Sequence, residues 1–235
     1  MSSVAQATAT GTLCPAQQVA TLPGMARVDI DGVAPGGRFQ VGAATRADGT
    51  GATVLWDNGV PQLVATGHEN SWGVDVDDGG QAVLVTSDGD ATARWRYRNG
   101  ALEELPTPAG YFNPTVKAID NDRGDILGTV SDADGWNVRA VVWNSANQPR
   151  VLPVPAGYNE VQVGDIDDGT VVGTVLDFDI PNARTRAMKP AYWFTDGRAA
   201  TIPASAPEAF AQADAIRNGI VAGVDAGQVT TWQVG

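Results

Sequence analysis

Sulfur chemistry is nearly absent from this chain. One cysteine, Cys14, in 235 residues excludes an internal disulfide framework and fits a reducing compartment. Histidine is just as scarce: His68 is the single copy, so no His/Cys cluster exists to hold zinc, and no metal is expected from these residues. Basic residues are few. Fifteen Lys and Arg against 27 Asp and Glu leave a net charge of −12, with the acids spread along the chain. That surface repels a phosphate backbone and an anionic membrane alike, so neither nucleic acid nor membrane is expected as a partner. No apolar run approaches the roughly 18 residues of a membrane span. The opening MSSVAQATATGT lacks the basic and apolar regions of a signal peptide. As read, the chain is cytoplasmic, or secreted if a signal preceded it. A helical stripe is missing too: the nearest approach, EAFAQADAIRN at 208–218, fits another pattern better. There is no glycine-rich strand-to-helix phosphate loop and no GxSxG elbow.

What the chain does have is glycine, 28 of them, and repetition. VKAIDNDRGDILGTV at 116–130 and VQVGDIDDGTVVGTV at 161–175 say nearly the same thing twice. Related stretches begin at Met25, Ser71 and Phe210. Each is an apolar segment, an Asp, Asn or Gly turn, and a second apolar segment, which is a β-hairpin written in the residues that tight turns require. A tryptophan follows each: Trp56, Trp95, Trp143, Trp193 and Trp232. Three of these segments run into Asn58-Gly59, Asn99-Gly100 or Asp196-Gly197, so each reads as a third strand before another tight turn. A short fourth strand closes the units.

Four strands in about 40 to 50 residues, repeated, predict an all-β, five-bladed β-propeller with four-stranded antiparallel blades. Stacked blades bury both faces of every sheet, and a tryptophan in the third strand is a plate between neighbours. The last unit ends after its third strand. Residues 17–24, QQVATLPG, resemble the other fourth strands, so the N-terminal strand is expected to complete the last blade and close the ring. The expected organisation is one domain over 11–235, with blades near 25–66, 67–109, 110–156, 157–205, and 206–235 plus 15–24. Residues 1–10 form a flexible tail, and the protein is monomeric. Cys14 is read as a packing residue near the seam.

The units resemble bacterial propeller repeats of the HAF and WD-like kind, best at Ala118-Ile119-Asp120-Asn121 through Gly128 and Gly164-Asp165-Ile166-Asp167 through Gly173. Blade 2 departs, with Val83-Leu84-Val85 in place of Val-Val-Gly, and blade 1 has a longer turn. The resemblance implies a fold and no particular activity.

Candidate chemistry collects at the blade starts. Aligned on Asp29, Asp75, Asp120, Asp165 and Ala215, the positions three residues upstream are Ala26, Trp72, Lys117, Gln162 and Gln212. The preceding loops add His68, Glu69 and Asn70; Tyr111, Phe112 and Asn113; Tyr158, Asn159 and Glu160; and Phe210. Aromatics with amides and a few charges suit a small polar or sugar-like ligand at the channel mouth, with no cofactor. Trp72, Tyr111, Tyr158 and Phe210 would stack, and Asn70, Asn113, Asn159, Lys117, Gln162 and Gln212 would hydrogen-bond. An alternative is an enzyme on the same site, a hydrolase or a cyclase or isomerase, with His68, Glu69, Glu160 or Lys117 as acid/base groups. A third reading is a protein-interaction scaffold using two insertions, 131–139 and 177–190, that expose Trp136, Arg184 and Arg186. The turn aspartates Asp29, Asp31, Asp75, Asp77, Asp120, Asp122, Asp165 and Asp167 also resemble the start of calcium loops. None continues to a bidentate Glu, and aspartates that cap their own turns are the primary expectation.

Overall fold

The structure, a computed structural model, describes residues 19–179, 182, 184–206 and 210–234. Its strands form five separate antiparallel sheets, each laid down in chain order, and no α-helix occurs among the described residues. Sheet I holds β1 (Met25–Val33), β2 (Phe39–Arg46), β3 (Gly51–Asp57) and β4 (Val60–Leu63). Sheet II holds β5 (Asn70–Val76), β6 (Ala82–Asp88), β7 (Ala91–Arg98) and β8 (Ala101–Glu104). Sheet III holds β9 (Phe112–Ile119), β10 (Ile126–Ser131), β11 (Arg139–Trp143) and β12 (Pro149–Val151). Sheet IV holds β13 (Glu160–Asp167), β14 (Thr170–Asp179), β15 (Arg184–Trp193) and β16 (Ala199–Thr201). Sheet V holds β17 (Ala211–Arg217), β18 (Ile220–Asp225) and β19 (Gln228–Gln233). The five tryptophans of the repeat all lie on third strands, and the 208–218 segment that came nearest to a helical stripe contributes to β17.

Turn chemistry explains the hairpins. Asn58-Gly59 and Asn99-Gly100 both hold positive φ at the two central residues, 49° and 77° in the first and 51° and 78° in the second. That is the type I′ geometry whose twist matches the strands, and Asn followed by Gly adopts it most cheaply.

The repeated Val-Val-Gly has a different cause. Every first strand carries a β-bulge near its end, with Asp31, Val74, Lys117, Gly164 and Asp214 as the extra residues. A bulge pushes a first-strand carbonyl toward the second strand. A Cβ on Gly42 would lie 2.0 Å from Asp29 O, one on Gly173 2.4 Å from Gln162 O, and one on Gly223 2.0 Å from Gln212 O. Sheet II has Leu84 at the corresponding place and moves its glycine across the ladder to Gly73, which pairs with Leu84. A Cβ there would strike Val41 of sheet I at 2.3 Å. The glycine of blade 2 therefore answers a different requirement, room for Val41 of the neighbouring sheet and not for a first-strand carbonyl.

The bulges also correct the sequence alignment. Pairing places Asp29, Trp72, Thr115, Gln162 and Gln212 in one row, and Gly32, Asp75, Ala118, Asp165 and Ala215 in another. Ala26 and Lys117 do not belong to the expected ring. Aligning on the nearest aspartate slipped both strands, because Asp29 stands two residues before the extra residue of β1 and Asp120 three after that of β9, whereas Asp75 and Asp165 directly follow theirs.

Sheets are joined by clasps between successive units. Asp75 Oδ2 accepts the N–H of Ile119 (3.0 Å), and Asp165 Oδ2 accepts that of Ile216 (3.1 Å). Asp120 Oδ2 takes the Gly169 N–H (2.5 Å), Asp167 Oδ2 the Asn218 N–H (2.7 Å), and Asp78 Oδ1 the Gly36 N–H (2.6 Å). Asp120, Asp77 and Asp165 also accept local N–H groups, as expected of turn caps. The acidic repeat is thus both turn chemistry and inter-sheet fastening. Arg96 is fully buried and reaches from sheet II into sheet III, donating to Gly124 O, Asn144 O (2.8 Å) and Asn147 Oδ1 (2.7 Å).

Trp56, Trp143 and Trp193 are fully buried, and each indole N–H donates to a carbonyl of the segment preceding its sheet. The acceptors are Ala20 O (2.8 Å), Pro106 O (2.8 Å) and Pro153 O (2.7 Å). Pro106 and Pro153 lie two residues beyond β8 and β12, so Ala20 stands where the end of a fourth strand belongs. Val19 and Leu22 pack beside it on Ala44, Val54 and Trp56. The strand pairing expected of 17–24 is nevertheless not among the ladders: 19–24 form no strand, and sheet V has three strands among the described residues. Cys14, Gln17, Gln18 and the 1–10 tail lie outside the described residues. Closure of the ring is not seen. Val33 is 56% exposed, whereas its counterparts Val76, Ile119, Ile166 and Ile216 are all buried against the preceding sheet.

The expected polar loop at 177–190 is largely strand, since β14 runs to Asp179 and β15 starts at Arg184. Phe178 on that hairpin stacks on Trp136 of the 132–138 loop, with centroids 5.8 Å apart.

Candidate functional site

The C-terminal ends of the first strands converge. Residues from all five sheets line one cavity of about 620 Å³ at the hub. Its wall is more apolar than polar, with Val76, Ile119, Ile166 and Ile216 contributed by successive sheets. Asp75 and Asp165 supply carboxylates within this wall. Each accepts two backbone N–H groups, Asp75 from Val76 and Ile119 and Asp165 from Ile166 and Ile216. Burial nevertheless pushes both carboxyls above their ordinary pKa, and the Asp165 charge adds to the rise at Asp75. Lys117 acts the other way on Asp165. A cation arriving between them would relieve what burial costs them. Ile220 and Ala222 add apolar surface, and Asn121, Asn218 and Arg217, the last paired with Asp167, add polar groups.

Of the residues nominated from sequence, Lys117 is the extra residue of the β9 bulge, two before Ile119 of the cavity wall, and its charge reaches Asp165, while the others lie at the opposite ends of the strands or in the loops before them, where each chain segment enters its sheet. Trp72 and Asp75 are three residues apart along β5, about 10 Å. His68 is oriented by an acid: its Nδ1 lies 2.7 Å from Asp88 Oδ2, and its ring tilts against Trp95 with centroids 5.4 Å apart. Asp88 Oδ1 also accepts the Glu69 N–H (2.8 Å). Asn70 Oδ1 accepts the Gly51 N–H (2.7 Å) and so fastens sheet II to sheet I. Asn113 Nδ2 donates to Ser131 Oγ (3.1 Å). Asn159 clamps Phe178, accepting its N–H (2.7 Å) and donating to its carbonyl (2.8 Å). Tyr111 and Tyr158 are partly buried against the clusters between sheets II and III and between III and IV. Glu160 Oε1 is buried without a hydrogen-bond partner. Gln212 Nε2 donates to Asp214 Oδ1 (3.0 Å). Gln162 and Lys117 are exposed, as are Trp72, Phe112 and Phe210. Among the described residues no hydrogen bond or ion pair links one nominated side chain to another.

Sequence reasoning missed the partners that give these residues their settings. Asp88 is about 20 residues from His68 and becomes its neighbour only through strand pairing. Asp75 and Asp165 were noted as turn caps, and nothing local marks them as cavity residues. Among the described residues no group of three or more His, Cys, Asp or Glu could hold a metal ion, and no helix is long and apolar enough to cross a membrane.

A scan against protein-family models finds no match, and a search of curated proteins finds none either. Solved structures do resemble the chain. A protein assigned as TolB from Agrobacterium tumefaciens overlays with a TM-score of 0.51 at 14% identity, covering 72% of this chain and 62% of that one. TolB from Acinetobacter baumannii gives 0.49 at 14% identity, over 81% of this chain and 46% of its own. The SapL1 lectin in complex with α-methyl fucoside gives 0.48 at 13% identity, over 88% and 79%. The chain therefore spans less than two thirds of either TolB. These neighbours are propeller-type folds, and at such identities the Agrobacterium overlay shows the fold alone.

Proposed function

We propose that the protein is a small-molecule-binding propeller whose ligand sits in the hub cavity and carries a protonated amine on a compact apolar body. The observation that carries this is the pair of carboxylates, Asp75 and Asp165, held partly desolvated in a cavity of about 620 Å³ whose wall is more apolar than polar. Small-ligand sites are concave, mainly apolar and supplied with a few fixed polar groups, and this volume lies in their usual range. An amine satisfies the remaining lone pairs of both carboxylates, and the Val and Ile side chains take up its hydrocarbon. The reading includes closure of the ring by the segment preceding Val19, which would stand beside β19 as the fourth strand of sheet V. Its support is the Ala20 carbonyl, which receives Trp56 as Pro106 and Pro153 receive Trp143 and Trp193. Assignment of the units to the HAF and WD-like kind is part of the same proposal.

The test is isothermal titration with benzylamine, cyclohexylamine and spermidine against benzyl alcohol and methyl glucoside. At least one amine should bind, its neutral counterpart should not, and Ala215→Arg, which fills the hub with a fixed cation, should abolish binding without loss of fold. Binding of the sugar alone, or amine binding unchanged in Ala215→Arg, would overturn it.

One observation favours a second reading. Asp88 fixes the His68 ring through Nδ1, the arrangement in which Nε2 serves as an acid/base group. On that reading His68→Ala removes turnover of a hydrolysable or isomerisable substrate and leaves its affinity in place.

A further inference from the structure

In this acidic chain most arginines are answered by acids. Arg38 meets Asp57, Arg98 meets Glu103, and Arg217 meets Asp167, all within 3.2 Å. Arg94 is an exception. It is half-buried on β7. Its Nη1 donates to Thr92 O (3.0 Å), but Nε is buried and has no partner. Among the described residues no carboxylate pairs with it. Burial lowers the pKa of its guanidinium. A guanidinium carries five donors and cannot shed its charge, so leaving one desolvated and unanswered is costly.

Its surroundings supply the other half of a site. Arg94 pairs with Val85 on β6, and Val85 pairs with Trp72 on β5. Side chains in one cross-strand row project to the same face, and two strand spacings put Trp72 and Arg94 about 10 Å apart. Val85 between them is buried, while Trp72 is 37% exposed. An apolar plate and an unanswered cation thus stand on either side of a small aliphatic floor, at the end of the sheet away from the hub cavity.

We propose that the Trp72–Val85–Arg94 row binds a small monocarboxylate with a flat ring. The carboxylate sits on the half-buried Arg94 side chain, which shifts on binding to bring the unpartnered Nε to one of its oxygens. The ring lies on the Trp72 indole. A guanidinium matches a carboxylate through two parallel hydrogen bonds, which is the strongest pairing open to it. One cation in a surface of net charge −12 suits a monoanion and repels a polyanion.

The experiment is a titration of the protein followed by ¹⁵N NMR of the arginine Nε–H resonances, with Arg94 assigned from the signal lost in Arg94→Lys. Phenylacetate should move that resonance and the Trp72 indole N–H together. Phenylacetamide, its neutral isostere, should move neither. Phenylacetate should bind more tightly than acetate, and Trp72→Ala should erase that difference while acetate binding persists. Arg94→Lys, which keeps the stem and the charge but loses the fork, should weaken phenylacetate roughly tenfold. Identical responses to phenylacetate and phenylacetamide, equal affinities for acetate and phenylacetate, or full affinity in Arg94→Lys would each overturn the proposal. Because Arg94→Lys retains most of the buried stem, its amide spectrum also reports whether sheet II is intact.

Discussion

If the segment before sheet I stands in for a fourth strand, then Trp56 and residues 1–22 must be energetically coupled. Replacing Trp56 with Phe keeps an aromatic plate but deletes the N–H that reaches Ala20 O at 2.8 Å. A net hydrogen bond is worth about 1 kcal/mol. The indole exceeds the benzyl ring by about 40 Å³, and a residual void of that size at about 24 cal/mol per Å³ costs about 1 kcal/mol more. The full chain should therefore lose about 2 kcal/mol, the same as Trp143→Phe, whose N–H reaches Pro106 O with the same geometry. In a chain lacking residues 1–22 the acceptor has gone already, so Trp56→Phe should cost only the void, about 1 kcal/mol. The coupling in this double-mutant cycle is then about 1 kcal/mol, measured from urea unfolding with unchanged m-values. Equal costs in the two backgrounds would refute the reasoning, since Ala20 would then be a bystander. So would a full-chain cost well under that of Trp143→Phe.

Two further outcomes follow from the hub. Gly173→Ala places a methyl 2.4 Å from Gln162 O and should cost about 3 kcal/mol, whereas Ala222→Gly, one residue short of the matching glycine of sheet V, should cost about 1 kcal/mol, both read from denaturation midpoints. The second concerns pH. Asp165 has its folded pKa raised, so the folded state holds the proton more tightly than the unfolded one, and this group's contribution becomes less favourable as pH rises through that window. Wild type should therefore gain stability relative to Asp165→Asn as pH falls from about 7 to about 4, and amine affinity should fall over the same range. A difference that stays flat, or moves the other way, would show that Asp165 is as solvated as a surface carboxylate.

Much of the architecture was legible because its determinants are local. Asn58-Gly59 needs only its own backbone to specify a turn, and Trp143 marks a third strand by its place after the hairpin. Five units could be counted for that reason. The bulges were not legible, because an extra residue leaves no mark on composition. Lys117 was consequently placed in a row that belongs to Thr115. The site was less legible still. Asp75 meets Ile119, His68 meets Asp88, and Arg94 shares a row with Trp72, all through pairing that no local window contains. The hub cavity lies at strand ends where the sequence shows ordinary Val and Ile. Aromatics and amides near the loops attracted attention instead, and several of them, Asn70 and Asn159 among them, are occupied in holding neighbouring strands.

The carboxylate clasps reach from one sheet to the next along the chain, and the joints of sheet II to III and of sheet IV to V are built alike, an aspartate Oδ2 on the backbone N–H of an isoleucine. A joint of that kind carries its own address. Excising sheets III and IV together would set Asp75 beside Ile216, the same kind of partner it now has in Ile119, whereas the joint of sheet III to IV, through Asp120 and Gly169, is of another kind.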